Sequence, residues 1–229
     1  HWRAWAGSTA RAAASKPYAN EAGKKALQKH LTRIGISAQV EDGFHPTNYH
    51  VNYQLNKKPL VSIIIPNQDQ ALDLEGCVNS ILQKTTYPNF EIFLVENGSK
   101  EQETFDLYNQ LGQDARIHCI KWNGSFNYSH INNWAVERAN GEVILFLNND
   151  TQVINKDWLE EMLQFAMRPD AGAVGAKLYY PDDRIQHAGV ILGMGGIAGH
   201  GHKHLPRQAQ GYFGQLMLPH NVSAVTAAC

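Results

Sequence analysis

An α/β fold, with a mostly parallel sheet and helices on both faces, follows from three features of the sequence. From Leu60 onward, short apolar runs alternate with segments whose apolar residues recur at helical spacing. That strand–helix rhythm calls for crossover connections, which bury a parallel sheet beneath helices. Three of the strands close on hydrogen-bonding residues, at Pro66-Asn67, Glu96-Asn97-Gly98 and Asn148-Asn149-Asp150. In a doubly wound sheet these turns share one edge, and ligands bind in the crevice there.

The elements can be taken in order. Residues 1–58 are alanine-rich, then polar, and hold one helix. Asn20 can cap that helix, Ala26, Leu27, His30, Leu31 and Ile34 share one face, and Gly35 stops it. One helix cannot form an independent core, so the stretch reads as a connector docking on the main domain or on something upstream. A start at His1 without methionine suggests a piece of a longer protein. Residues 59–229 form the main domain. Leu60–Ile65 is a buried strand, followed by a helix through Leu74, Cys77, Val78, Ile81 and Leu82. Phe90–Val95 is a strand, Gln102–Leu111 a polar helix and Arg116–Lys121 a third strand. A helix over Ser129–Ala139 closes at Asn140-Gly141. The unbroken apolar run Val143–Leu147 suits a strand buried on both faces in the middle of the sheet. A helix capped by Asn155 carries Trp158, Leu159, Met162, Leu163 and Phe165, and Ala171–Lys177 can form a fifth strand. Beyond Pro181 come short strands and many glycines.

Composition excludes some functions. With 20 basic and 21 acidic residues in 229, no general polyanion partner is implied, so nucleic acid is not expected. No run of about 18 apolar residues is present to span a bilayer, and the N-terminus lacks a signal-peptide core. Cys77, Cys119 and Cys229 are odd in number and widely spaced, which fits reduced structural thiols in a cytosolic protein. The N-x-S/T triplets at Asn97, Asn123 and Asn127 then carry no glycan.

Chemistry concentrates at the end of Val143–Leu147. Asn148, Asn149 and Asp150 offer carbonyl and carboxylate oxygens, ligands that suit a hard divalent cation holding a substrate's phosphates. The same residues also read as a polar turn after a buried strand. His200, His202 and His204 alternate, so a strand would project all three to one side, as zinc requires, but no fourth ligand is in register. A glycine-hinged loop over the site is the competing reading of this tail. Gly193–Ala198 matches a dinucleotide fingerprint only by chance, because GHGHKHLPR supplies no helix for the pyrophosphate. Trp122, Phe126 and Tyr128 either stack on a base or sugar ring or close the sheet edge, while Trp134 and Trp158 read as core.

VSIIIPNQDQ, FEIFLVENGS and NNWAVERANGEVILFLNNDTQV, in this order and spacing, resemble the nucleotide-sugar domain of family 2 glycosyltransferases. The resemblance covers Pro59 to the C-terminus. It implies a GT-A fold, inversion at the anomeric carbon, and a place within multidomain bacterial enzymes building O-antigen or other surface polysaccharides. HWRAWAGSTA at the N-terminus resembles the junction between tandem domains in such proteins.

Roles follow position by position from that resemblance. Pro66 and Asn67 match the turn that meets the nucleoside, although threonine is usual after the proline. Glu96 matches an acidic residue that accepts a hydrogen bond from the base. Asn133 matches an asparagine near the donor's phosphates or ribose. Asn148 and Asp150 match the ends of the D-x-D motif, so Asp150 is the expected ligand of Mg²⁺ or Mn²⁺. Asn148 can bond ribose but adds no charge, so metal should bind weakly before the donor arrives. DDRIQHAGV resembles a segment near the donor sugar, from which His187 would reach the diphosphate; a structural histidine in a turn is the alternative. The family's general base lies downstream, past Cys229, so the chain is expected to bind donor but turn over poorly. Implied partners are a nucleoside-diphosphate sugar (UDP, dTDP or GDP) and a glycan or lipid-linked acceptor. The implied setting is cytoplasmic, at the inner face of the membrane, with peripheral association of the longer protein. A non-catalytic spacer or donor-binding module of the same fold is the competing function.

Overall fold

A computed structural model describes residues 17–229. The expected domain junction in HWRAWAGSTA lies outside the described residues. Two compact units emerge, one running through Asn56 and including Gln208–Asn221, the other comprising Lys57–Arg207 and Val222–Cys229.

In the first unit, α1 (Pro17–Arg33) is followed by an antiparallel hairpin of β1 (Ala38–Asp42) and β2 (Tyr49–Tyr53). Proline tolerates the first helical turn because its missing N–H has no partner to lose there. The helix ends as the sequence predicts: Gly35 takes φ +74°, Ile36 N–H bonds Leu31 O and Gly35 N–H bonds Thr32 O. Asn20 is no cap. It sits inside the helix, where its amide donates to Asp42 Oδ1 at 2.8 Å and accepts from Thr47 N–H at 2.7 Å. Gln28 likewise spans Ala38 O and Val40 N–H, so polar side chains hold the helix to the hairpin beside buried Leu31 and Val40.

The second unit is built on a four-stranded parallel sheet. Its strands are β3 (Val61–Asn67), β4 (Phe90–Glu96), β5 (Ile117–Lys121) and β6 (Val143–Phe146), in the spatial order β5-β4-β3-β6. Crossovers run through α2 (Ala71–Lys84), α3 (Gln102–Leu111) and α4 (Tyr128–Val136). The α/β architecture is the one the sequence predicts. Ile63, Ile64, Ile65, Ile92, Leu94 and Val95 are fully buried, each stabilising the fold by roughly 1.5–3 kcal/mol.

Three expectations are corrected. First, β6 is the sheet's edge strand, and Val143, Ile144 and Phe146 are only half-buried. An apolar run cannot distinguish the centre of a sheet from an edge. Second, residues 171–177 form no strand, and the next ladder is the short antiparallel pair β7 (Leu178–Tyr179) and β8 (Ile185–His187). Alanine and glycine give that stretch little to pack on a sheet face, and Gly175 lies directly against the Val225 side chain. Third, α5 (Trp158–Ala166) is preceded by Asp157, not Asn155, and Trp158 fixes its start by donating to Thr85 Oγ1 at 2.9 Å.

The tail adds a hairpin of β9 (Val190–Leu192) and β10 (Ala198–His200). Only His200 of the three alternating histidines lies in a strand. His202 and His204 take φ of 61° and 66°, which ends the alternation a zinc site would need. Among the described residues no group of three histidine, cysteine or acidic side chains converges as a metal site. No helix among them is long and apolar enough to cross a membrane.

Candidate active site

The carboxyl ends of β3, β4 and β6 meet at one edge, and Asn67 joins them. It closes β3, is 3% exposed, and uses both ends of its amide. Nδ2 donates to Asp69 O at 2.9 Å and to Tyr108 Oη at 2.8 Å. Oδ1 accepts from Asn149 Nδ2 at 2.6 Å, which ties the turn after β6 to the end of β3. The Asn67 carbonyl also takes Asn97 N–H at 2.9 Å. The half-buried Pro66 before it costs no ladder bond to β6, because the β3–β6 pairing stops at Ile64–Phe146.

A second set of bonds shapes the loop after β4. Asp69 sits at φ +53°, and its Oδ1 accepts from Lys100 N–H at 2.7 Å and Glu101 N–H at 3.0 Å. Those backbone donors, Glu101 foremost, hold the Asp69 carboxyl below the usual carboxylate range. Ser99 Oγ accepts from Asp69 N–H at 2.9 Å, and Ser99 N–H donates to Glu96 Oε1 at 2.5 Å. Glu96 is 6% exposed, and its Oε2 has no hydrogen-bond partner among the described residues. Leaving a buried carboxylate oxygen unmatched is costly, which sets this atom apart from the satisfied polar groups around it.

The third strand end carries the expected metal ligand. Asp150 is exposed, and Asn148 and Asn149 are half-buried. Two bonds to one carbonyl bracket the turn: Asn148 N–H donates to Ala228 O at 3.1 Å and Thr151 Oγ1 to the same atom at 3.3 Å. The adjacent Ala227 O accepts from Tyr128 Oη at 3.1 Å. A dication here would find one protein carboxylate, with Asn148 as a neutral neighbour. That set fits Mg²⁺ or Mn²⁺ only when a substrate's phosphates complete the shell.

The remaining candidates separate. Asn133 is exposed on α4, whereas its neighbour Asn132 is 4% exposed and donates to Tyr128 O at 2.9 Å. His187 is 1% exposed, and both ring nitrogens are engaged, Nδ1 with His200 Nδ1 at 2.8 Å and Nε2 with the N–H groups of Gly189 and Thr226. Direct contact of His187 with a diphosphate is therefore corrected; no ring nitrogen is left to reach one. Phe126 is 71% exposed, while Trp122 and Trp134 pack on the core beneath α4.

Sequence reasoning missed Asp69, Tyr108 and the Ala228 carbonyl, and it placed Asn149 at the strand end without its bond to Asn67. Tyr108 had a signal, since Thr104, Leu107, Tyr108 and Leu111 recur at helical spacing and all are buried. Asp69 had a weaker one, an acidic residue just ahead of a helix. A backbone carbonyl has none.

Comparison with known proteins gives this geometry a setting. A family model described as Glycosyl transferase family 2 matches residues 62–215. Over its full length the chain is 50% identical to an uncharacterized protein of Sinorhizobium fredii, covering 25% of that protein. It is 43% identical, again over its full length, to the O-antigen biosynthesis protein RfbC of Myxococcus xanthus, covering 18% of it. The chain thus spans a quarter or less of these curated relatives. Among solved structures it is similar to the mannosyltransferase PcManGT from Pyrobaculum calidifontis in complex with GDP-Man and Mn²⁺. That likeness has 19% identity and a TM-score of 0.49, over 75% of this chain and 47% of the other.

Proposed function

The chain belongs to glycosyl transferase family 2, and we propose that it binds a nucleoside-diphosphate sugar for inverting, metal-assisted transfer to a glycan or lipid-linked acceptor in bacterial surface polysaccharide synthesis. The observation that carries the proposal is the convergence at Asn67. Asn67 holds the turn presenting Asp150 through its side chain and the loop after Glu96, whose Oε2 is unmatched among the described residues, through its main-chain carbonyl.

Each residue then has a chemical task. Glu96 Oε2 accepts an N–H of the base, which selects nucleobases that present a donor at that edge. Pro66 and Asn67 border the nucleoside, Asn148 bonds the ribose, and exposed Asn133 meets the phosphates or ribose. During transfer the acceptor oxygen bonds to the anomeric carbon as the bond from that carbon to the phosphate oxygen breaks. The electron pair leaves with the nucleoside diphosphate, and a carboxylate base takes the acceptor's proton. A divalent cation held by Asp150 and the diphosphate would supply Lewis-acid neutralisation of the departing charge. The work is placed in the cytoplasm, at the inner membrane face. The working domain is assigned to residues 59–229, with 1–58 as its connector.

A donor-binding module without transfer is the second reading, favoured by the neutral Asn148 at a position where the family usually has a carboxylate. Both readings face a thermal-shift series with UDP, dTDP and GDP, with and without Mn²⁺. Ligand at 100 times Kd should stabilise the chain by about 2.7 kcal/mol through mass action. Stabilisation that needs Mn²⁺ and vanishes in Asp150→Ala is the expected result. Equal shifts without metal, or in Asp150→Ala, would contradict the metal role. Sugar transfer that survives Asp150→Ala would contradict the catalytic one.

A further inference from the structure

His187 stands at the head of a bonded chain that ends on the Asp150 turn. Its Nε2 receives two backbone N–H groups, from Gly189 and Thr226, each at 3.3 Å. A ring nitrogen that accepts carries no proton, so the proton sits on Nδ1 and is donated to His200 Nδ1 at 2.8 Å. Burial and the neighbouring His200 push the His187 pKa down, which favours the neutral ring, and the two N–H bonds to Nε2 select its tautomer.

From Thr226 the chain continues. Thr226 Oγ1 accepts from Ala228 N–H at 3.3 Å, which pins the Ala227–Ala228 peptide, the unit just before the one that carries the Ala228 carbonyl. The Ala228 carbonyl takes Asn148 N–H at 3.1 Å and the Thr151 hydroxyl at 3.3 Å. Asn148 and Thr151 flank Asn149 and Asp150, so this one carbonyl defines both ends of the turn. An apolar residue at 187 would leave the buried Gly189 N–H and the half-buried Thr226 N–H unpaired, and Thr226 would turn to find another acceptor.

We propose that His187 is a positioning residue for the donor site, one that sets, through Thr226 and Ala228, the turn presenting Asp150, and that touches neither donor nor metal. The inference rests on the reading of Asp150 as the carboxylate that holds the cation. It explains why a buried histidine ends a short strand with its whole hydrogen-bonding capacity spent on its own chain.

The test is Mn²⁺ affinity of the 229-residue chain, read from the free-ion EPR signal. The nucleotide is whichever of UDP, dTDP or GDP gives the largest Mn²⁺-dependent thermal shift. His187→Asn keeps polarity but is too short to reach the Thr226 N–H, and His187→Gln keeps an acceptor at comparable reach. Groups that orient metal ligands commonly carry ten- to a hundredfold in affinity, so His187→Asn should weaken Mn²⁺ about tenfold or more. His187→Gln should stay within about threefold of wild type. Thr151→Val should weaken binding on its own, and combined with His187→Asn should give less than the product of the two effects, because both cut one chain. A folded His187→Asn with wild-type affinity overturns the proposal, as does strict multiplicativity with Thr151→Val. Should His187→Asn fail to fold, His187→Gln and Thr151→Val decide: wild-type affinity in Thr151→Val overturns it. Unchanged affinity in Asp150→Ala would instead overturn the metal reading itself, and this inference with it.

Discussion

Replacing Asn67 by leucine removes the side-chain ties from the end of β3 to the turn after β6 and to α3 at nearly the same volume, and keeps the main-chain bond to Asn97. Three side-chain hydrogen bonds are lost, to Asp69 O at 2.9 Å, Tyr108 Oη at 2.8 Å and Asn149 at 2.6 Å. A net contribution of about 1 kcal/mol each gives roughly 3 kcal/mol. The partners adjust that figure in opposite directions. Half-buried Asn149 can turn to water, which lowers it. Asp69 O, partly buried, loses an acceptor bond beside a backbone already held at φ +53°, which raises it. A loss of about 2–4 kcal/mol is therefore expected, measured as a lower urea midpoint at unchanged slope. Tyr108→Phe, which removes one of the three bonds, should lose about 1 kcal/mol. Nucleotide with Mn²⁺ should bind Asn67→Leu more weakly even where it is fully folded, since the turn after β6 is then untied. A destabilisation below about 1 kcal/mol, equal to that of Tyr108→Phe, would refute the role of Asn67 as the common tie.

Other outcomes follow from the same geometry. Glu96→Ala should weaken nucleotide binding, checked by calorimetric titration with UDP, because Oε2 has no partner among the described residues, and should cost about 1 kcal/mol of stability for the lost Ser99 N–H bond to Oε1; unchanged affinity would remove Glu96 from base recognition. Burial acts to raise Glu91, but Ser62, Asn140 and His118 together bring its carboxyl below the ordinary value. A depressed folded pKa gives stability that is present above the unfolded value and lost as pH falls through the folded one. Wild type should therefore lose stability below about pH 4.5 more steeply than Glu91→Gln, measured by urea melts across pH. Cys77 is pushed up to about 12 and Cys229 to about 11 by burial, whereas Cys119 is exposed. Alkylation of the native chain followed by mass spectrometry should mark Cys119 first, and equal labelling of Cys77 would contradict its burial.

Much of the fold was legible because the central strands are uncompromising. VSIII and FEIFLV are apolar but for Ser62 and Glu91, and the structure buries every residue of both runs. VILFL looks the same in sequence yet lies at the edge, because sheet order depends on crossovers rather than on any local pattern. The β1–β2 hairpin went unread for the opposite reason. AQVED and YHVNY alternate too little apolar character to announce a strand, and side chains of α1 supply the bonds that hold them.

The site was legible as a set of strand ends and illegible as a network. Asn67, Glu96, Asn148 and Asp150 lie where their places after apolar runs put them. That Asn67 would spend its amide on Tyr108 and Asn149 could not be read, since those partners are 41 and 82 residues away. His187 shows the same limit. Its likeness to a donor-side segment suggested contact with phosphate, but burial and two backbone N–H groups decide otherwise.

Crystals grown with Mn²⁺ and UDP, examined by anomalous diffraction at the manganese edge, test the donor site most directly. A metal peak bonded to an Asp150 carboxylate oxygen and to both phosphates, at roughly the 2.0–2.6 Å typical of oxygen-bound divalent cations, is the expected result. Manganese bound elsewhere, or an Asp150 carboxylate turned away from an occupied diphosphate, would contradict it.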